Sequence, residues 1–289
     1  MKTIRFISFL LFIGASLPVS GQTLPATLTG LITDETGAPL SFASVGVVNT
    51  PAGTVADDNG RFTLYLTKSV RLTDTVQISL LGYKSDRRPV GQLAEALQAE
   101  PIVTLVLRPA QLTEITVRSA QWKVRQTGNT NVQTRLKTNF ALAGKPRQNL
   151  GAQIGRVFRI PKRGAFLEEF RFFISVNNFD STRFRINVQT LRLNYPDSNL
   201  LQRAVYVELK PEQTGWIIVD LRPYNLFAAD NVAVSVEWVD YGGKGNYLGV
   251  PITVPSIGAV HLYKFASQSS WKKFGNMSAC MNLTMLCAP

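Results

Sequence analysis

Short apolar runs separated by polar, Gly- or Pro-bearing breaks dominate the chain, and their period is two rather than 3.6. Ala43, Val45 and Val47 alternate with Ser44, Gly46 and Val48, and Phe62, Leu64 and Leu66 alternate with Thr63 and Tyr65. Val76, Ile78 and Leu80 repeat the pattern, and Ile102 to Leu107 is a further short run stopped by Pro109. Alternation of this kind predicts half-buried strands. The breaks have turn chemistry: Asp34-Glu35-Thr36-Gly37-Ala38-Pro39 and Asp57-Asp58-Asn59-Gly60 lie between strand-like segments. Asp bonds its own backbone, Gly accepts positive φ and Pro presets φ, and Asn-Gly beside such segments is a hairpin cue. Strands at this spacing predict a small β-sandwich over residues 22–109. The one helical signal there is Gln92 to Gln98.

The β pattern returns from about Gly151. Phe170, Phe172, Ile174 and Val176 share one face. Phe184, Ile186 and Val188 point inward while Arg183, Arg185, Asn187 and Gln189 point to solvent. Val205, Val207 and Leu209 follow, and Trp216 to Leu221 is apolar on both faces, as a central strand would be. Val232, Val234, Val236 and Trp238 alternate with Ala233, Ser235 and Glu237, and two more strands fit Ala259 to Phe265 and Ala279 to Leu286. About eight strands with polar connections predict two packed antiparallel sheets over residues 151–289, a jelly-roll-like sandwich. The whole chain reads as all-β.

The first sandwich resembles a known family. The order G-x-I-T-D-E-T-G-x-P-L-x-x-A-S-V, then G-T-V-A-D-D-N-G-R-F-T-L, then L-L-G-Y, is similar to the carboxypeptidase-regulatory-like domain over residues 27–109. The resemblance implies a seven-stranded, transthyretin-like β-sandwich. It also implies an exported setting, since such domains are common in secreted and outer-membrane proteins of Gram-negative bacteria, including the N-terminal extension of nutrient-uptake receptors. Leu112 to Val117 resembles the segment that follows the domain in those receptors. The resemblance does not bring peptidase chemistry with it. A zinc peptidase needs at least two His ligands and a catalytic Glu, and this chain has one His, His261, outside the matched stretch. No metal site and no cofactor are expected. In the second half, a G-W-x-x-V-D-L strand followed by V-x-V-x-V-E-W resembles carbohydrate-binding-type jelly rolls.

The N-terminus fits export. Lys2 and Arg5 precede an apolar core, Phe6 to Leu17, and small residues follow before Gln22, so residues 1–21 read as a signal peptide. The core is shorter than the roughly 20 residues that span a bilayer, and no later run is long and apolar enough for a transmembrane helix. The expected location is periplasmic, outer-membrane-associated or secreted.

Charge and candidate chemistry complete the picture. The formal net charge of +12 is concentrated between Arg118 and Arg163, where eleven Lys or Arg residues occur with no acid. Residues 110–150 read as a basic joint that runs on into the second sandwich. Either it is a solvated linker, or Lys123, Arg125, Arg135 and Lys137 contact an anionic envelope surface. Nucleic acid is not an expected partner, because no motif for it is present. Tyr241, Tyr247 and Trp271 lie in Gly- and Ser-rich stretches, where aromatic rings either stack on sugars or cap a core. The acidic set Asp57, Asp58, Glu168, Glu169, Asp230, Glu237 and Asp240 would supply a glycosidase pair only if two carboxylates faced one cleft. Cys280 and Cys287 lie about 23 Å apart along a straight strand at about 3.3 Å per residue, so a disulfide needs a chain reversal. Otherwise they are separate thiols, with Cys280 buried and Cys287 near a loose end. The sequence therefore predicts an exported, non-enzymatic binding or scaffold protein of the cell envelope, with a glycan or envelope component as partner. Its alternative is a polysaccharide hydrolase using acidic residues of the second domain.

Overall fold

The computed structural model describes residues 24–108, 122–142 and 146–287. The expected signal peptide, the Leu112 to Val117 segment and the start of the basic joint lie outside the described residues. The first sandwich contains β1 (Thr27–Thr33), β2 (Ser44–Val47), β3 (Gly53–Val55), β4 (Arg61–Tyr65), β5 (Thr75–Ser79) and β6 (Asp86–Pro89), then helix α1 (Val90–Ala99) and β7 (Ile102–Thr104). A three-stranded sheet runs β4-β1-β7 and a four-stranded sheet runs β3-β2-β5-β6. Ile32, Val45, Leu64, Ile78 and Leu93 close the core between them. The residues expected to alternate inward do so, and the short helix covers the core through Val90, Leu93 and Ala94.

The Asp57–Gly60 turn departs from the hairpin expectation. Asp57 Oδ1 accepts the backbone N–H of Asn59 and of Arg61, and Gly60 takes φ +74°. The Asp57 N–H donates to the Arg61 carbonyl at 2.8 Å, as in a hairpin. The flanking strands then part, β3 pairing with β2 and β4 with β1. The turn carries the chain from one sheet to the other, because the carboxylate satisfies the local donors without a continuing ladder.

The second body begins with β8 (Lys123–Gly128), β9 (Lys137–Asn139), β10 (Gln153–Phe158), β11 (Ala165–Ile174), β12 (Val176–Asn177) and β13 (Ser181–Arg192). It continues with β14 (Tyr195–Asn199), β15 (Val205–Leu209), β16 (Gly215–Asp220), β17 (Phe227–Ala228) and β18 (Val232–Gly242). It ends with β19 (Leu248–Thr253), β20 (Val260–Lys264), β21 (Trp271–Gly275), β22 (Ser278–Ala279) and β23 (Met281–Cys287). The large sheet runs β14-β13-β18-β10-β20-β21 with β15 on β13, and a five-stranded sheet runs β16-β11-β23-β8 with β17 on β11. A smaller sheet, β12-β19-β22 with β9 on β19, completes the wall. Ring contacts between Phe158 and Phe170 and between Phe172 and Phe184 join the large sheet to the five-stranded one, which makes this a β-sandwich.

Four expectations change. The second body has more strands than eight, because long runs break into hairpin arms and short edge pieces. The basic stretch is strand from Lys123: β8 pairs with β23, and β9 pairs with β19. The Trp216 segment is not central but the edge strand β16, with Ile218 56% exposed while Ile217 and Val219 are buried. Cys280 and Cys287 are free thiols and both are buried, Cys287 inside β23 rather than at a loose end. No helix among the described residues is long and apolar enough to cross a membrane.

Candidate functional site

Part of the polar face of the large sheet does not meet solvent: Arg185, Asn187, Ser235 and Glu237 are buried. Arg185 on β13 and Glu237 on β18 stand opposite each other in register, on the face away from Ile186 and Val236. They are only 6% and 2% exposed, because the first sandwich covers them. Arg185 Nε donates to Glu237 Oε2 at 2.9 Å and Nη2 to Oε1 at 2.8 Å, a bidentate pair. Asn187 Nδ2 adds a donor to Oε2 at 2.8 Å. The outer edge of the guanidinium reaches the other domain: Nη1 donates to the Phe42 carbonyl at 2.8 Å, and Nη2 to Ser44 Oγ at 2.7 Å. Burial opposes charge on both groups, yet each holds its partner charged. Arg185 stays above its ordinary value beside the carboxylate, and Glu237 stays below its own beside Arg185 and Asn187.

The seam continues through a turn of the second sandwich. The Asn49 N–H donates to the Gln268 carbonyl, Gln268 Nε2 to Ser79 Oγ, and Ser269 Oγ to the Thr50 carbonyl. Glycines on β2 and β3 permit this approach: a Cβ on Gly53 would lie 2.1 Å from the Ser267 carbonyl oxygen, and one on Gly46 2.6 Å from it. Apolar packing joins in, since Phe42 and Val55 of the first sandwich belong to the core of the second. Phe42 also lies against Tyr206 and under the Arg183 guanidinium. A polar cleft of about 360 Å³ opens beside the ion pair, lined from both sandwiches by Gln77, Tyr83, Arg108, Asn187, Asp197 and Lys264 among others. Burial lowers the pKa of Lys264, while Glu237 works the other way.

The acids expected as a catalytic set are dispersed. Glu237 is occupied by three N–H donors, so it holds structure rather than moving a proton. Glu169 pairs with Arg171 on its own strand. Asp57 and Asp240 line one small cleft of about 180 Å³ between the sandwiches, and the Asp57 Oδ1 is already taken by the turn.

The aromatic candidates do not form one platform. Tyr241 is 7% exposed on β18, packed with Phe179 and Trp238, and belongs to the core rather than to a loop. Tyr247 is half-buried just before β19, with its backbone held by Asn178. Trp271 opens the edge strand β21, half-buried, with Lys264 Nζ 5.5 Å from its ring centroid. Among the basic candidates, Lys123, Arg125, Arg135 and Lys137 are all exposed. They divide between surfaces: Arg125 lines a basic cleft with Arg156, Arg159 and Lys273, whereas Lys137 lines an apolar cleft with Leu136 and Phe274. The sequence reading missed Arg185 and Glu237 as partners, and Arg156 as a buried cation. An Arg and a Glu on alternating strands was the available signal, but it looks the same as a solvated face.

The fold and the seam define a two-sandwich all-β protein in which the first sandwich is docked on the second. The first of these is identifiable: residues 28–117 match the CarboxypepD_reg-like domain, so the chain carries that domain. The TonB-dependent receptor SusC of Bacteroides thetaiotaomicron is 31% identical over 84 residues, which is 29% of this chain and 8% of that receptor. The chain therefore matches only a small part of that receptor's length. Among solved structures, infectious bursal disease virus Gx strain is similar with a TM-score of 0.30 at 10% identity, covering 93% of this chain and 60% of that one. The VP2 subviral particle of the same virus gives 0.30 at 11% identity, covering 92% and 59%. Likeness at that level carries no argument about fold or function.

Proposed function

We propose that this chain is an exported cell-envelope protein that binds or scaffolds rather than catalyses. In this reading the CarboxypepD_reg-like sandwich is fixed on the second sandwich, and the second sandwich meets a glycan or an envelope partner. The observation that carries the reading is the seam. The buried patch of Arg185, Asn187 and Glu237 on the polar face of the large sheet is consumed in joining two domains into one body. The likeness of the first domain to part of a TonB-dependent receptor supports an envelope setting. Tyr247 and Trp271 are the candidate sugar-stacking side chains, and Lys123, Arg125, Arg135 and Lys137 are the candidate contacts to an anionic surface. Tyr241 drops out, because its ring is inside the core.

The test is binding of the purified mature chain to arrayed glycans and envelope polymers at low and high salt, with reducing ends measured in the same samples. The reading expects retained polymer, no release of reducing ends, and weaker salt-resistant retention after Tyr247→Ala or Trp271→Ala. The hydrolase alternative, with acidic residues of the second domain as catalysts, would draw on Asp240, which lines a cleft. Release of reducing ends that disappears in Asp240→Asn would establish it and overturn the binding reading.

A further inference from the structure

The second sandwich holds a buried cation without a counter-charge. Arg156 on β10 is 8% exposed and stands opposite His261 of β20 in register. Its Nη1 donates to Ser278 Oγ at 2.6 Å, and its guanidinium carbon lies 5.0 Å from the Phe158 ring centroid. Its Nε is buried with no hydrogen-bond partner. Buried charges are ordinarily paired, and a buried polar atom left unmatched marks the place of something that completes it.

Arg156 lines a cleft of about 540 Å³, within the range of about 300–1,000 Å³ that ligand sites occupy. Arg125, Arg159 and Lys273 line the same cleft, joined by the polar side chains of Asn194 and Ser256, and the lining contains no carboxylate. Among the described residues, none of the four cations makes an ion pair. Their visible partners are neutral. Arg159 Nη2 donates to the Gly258 carbonyl at 3.3 Å, and Lys273 Nζ lies 4.9 Å from the Tyr195 ring centroid. Four positive charges converge on one concavity that offers nothing negative in return.

We infer that this cleft is a binding site for a phosphate or sulfate ester, with Arg156 at its floor and Arg125, Arg159 and Lys273 at its rim. Guanidinium forks match the oxygens of a tetrahedral oxyanion, and a phosphate ester, close to a dianion at neutral pH, offsets this much charge better than a single carboxylate does. The concave shape fits one anionic group on a small carrier rather than a plane of headgroups. The inference rests on the lining residues alone and stands whether or not the aromatic surface binds sugar.

Titration calorimetry on the full mature chain tests it, at fixed ionic strength with chloride as the balancing ion. The probes are inorganic phosphate, inorganic sulfate, glucose 6-phosphate, glucose 6-sulfate and acetate. The expected result is binding of phosphate or sulfate species at least tenfold tighter than acetate. Tighter binding of the sugar esters than of the free ions supports the ester, and the reverse overturns it in favour of a free oxyanion. R159Q/K273Q changes only exposed side chains, so it leaves the fold intact and weakens binding at least tenfold. R156Q abolishes the preference over acetate. If R156Q fails to fold, the R159Q/K273Q comparison decides. Equal response to phosphate, sulfate and acetate, or unchanged affinity in R159Q/K273Q, overturns the inference.

Discussion

Removing the Glu237 carboxylate should cost far more than its single position suggests. In Glu237→Ala, Arg185 remains 6% exposed with its charge uncompensated, Arg185 Nε and Asn187 Nδ2 lose their acceptor, and Arg185 Nη2 keeps only Ser44 Oγ. Breaking a buried pair by deleting one partner costs about 3–5 kcal/mol, a large share of the roughly 5–15 kcal/mol that keeps a domain folded. At a urea dependence of about 3 kcal/mol/M, the unfolding midpoint falls by roughly 1–1.7 M. The informative control is Arg185→Met with Glu237→Leu. That double variant removes both charges and fills their volume, so no charge is left buried and only neutral groups lose a partner: the Phe42 carbonyl and Ser44 Oγ lose a donor and Asn187 Nδ2 loses its acceptor. The assay is equilibrium urea unfolding of the mature chain at neutral pH. The double variant should be more stable than Glu237→Ala. A double variant that loses the sum of the two single losses, or a Glu237→Ala midpoint equal to that of the parent, would refute the claim that the pair is buried and coupled.

Three further outcomes follow from the same structure. Gly53→Ala places a Cβ against the Ser267 carbonyl and should cost about 1–3 kcal/mol, read as a lower Tm. His261, buried beside Arg156, has its pKa pushed down from 6.5 to about 4, chiefly by burial. The unfolded chain therefore takes up the proton first as pH falls, and stability present above pH 6.5 is lost between there and pH 4, by up to roughly 3 kcal/mol. Urea midpoints at pH 7.5 and 4.5 should differ less in His261→Gln than in the parent. The depressed Glu237 carboxyl acts in the same direction at lower pH, since its contribution is present above its unfolded value and lost on acidification. Finally, burial pushes the Cys280 thiol up to about 12, and Cys287 is buried in β23. A thiol reagent should then label neither at neutral pH in the folded chain and both after denaturation.

Local chemistry made much of the fold legible. The period-two runs around Phe62, Phe184 and Val234 identified strands and their inward faces, and Asp57 to Gly60 identified a turn. The departures have one physical origin: partners distant in sequence. Arg185, Asn187 and Glu237 alternate with apolar residues as a solvated face would, and only the first sandwich, arriving from more than 140 residues away, buries them. Trp216 to Leu221 reads as central because Ile218 is apolar, yet among the described residues no strand lies beyond it and Ile218 stays exposed. Tyr241 looks like a loop ring beside Gly242 and Gly243, but β18 extends through it and stacks it on Trp238. The basic run looks like a linker because its charges face out, while its backbone completes sheet edges at β8 and β9.

Hydrogen exchange on the full mature chain tests most directly whether the two sandwiches form one body. The backbone amide of Asn49, which donates to the Gln268 carbonyl across the seam, should be protected in the parent chain and lose protection in Glu237→Ala, while the amides of β11 and β23 stay protected. Fast exchange at Asn49 in the parent, or protection of Asn49 independent of Glu237, would contradict the docked arrangement.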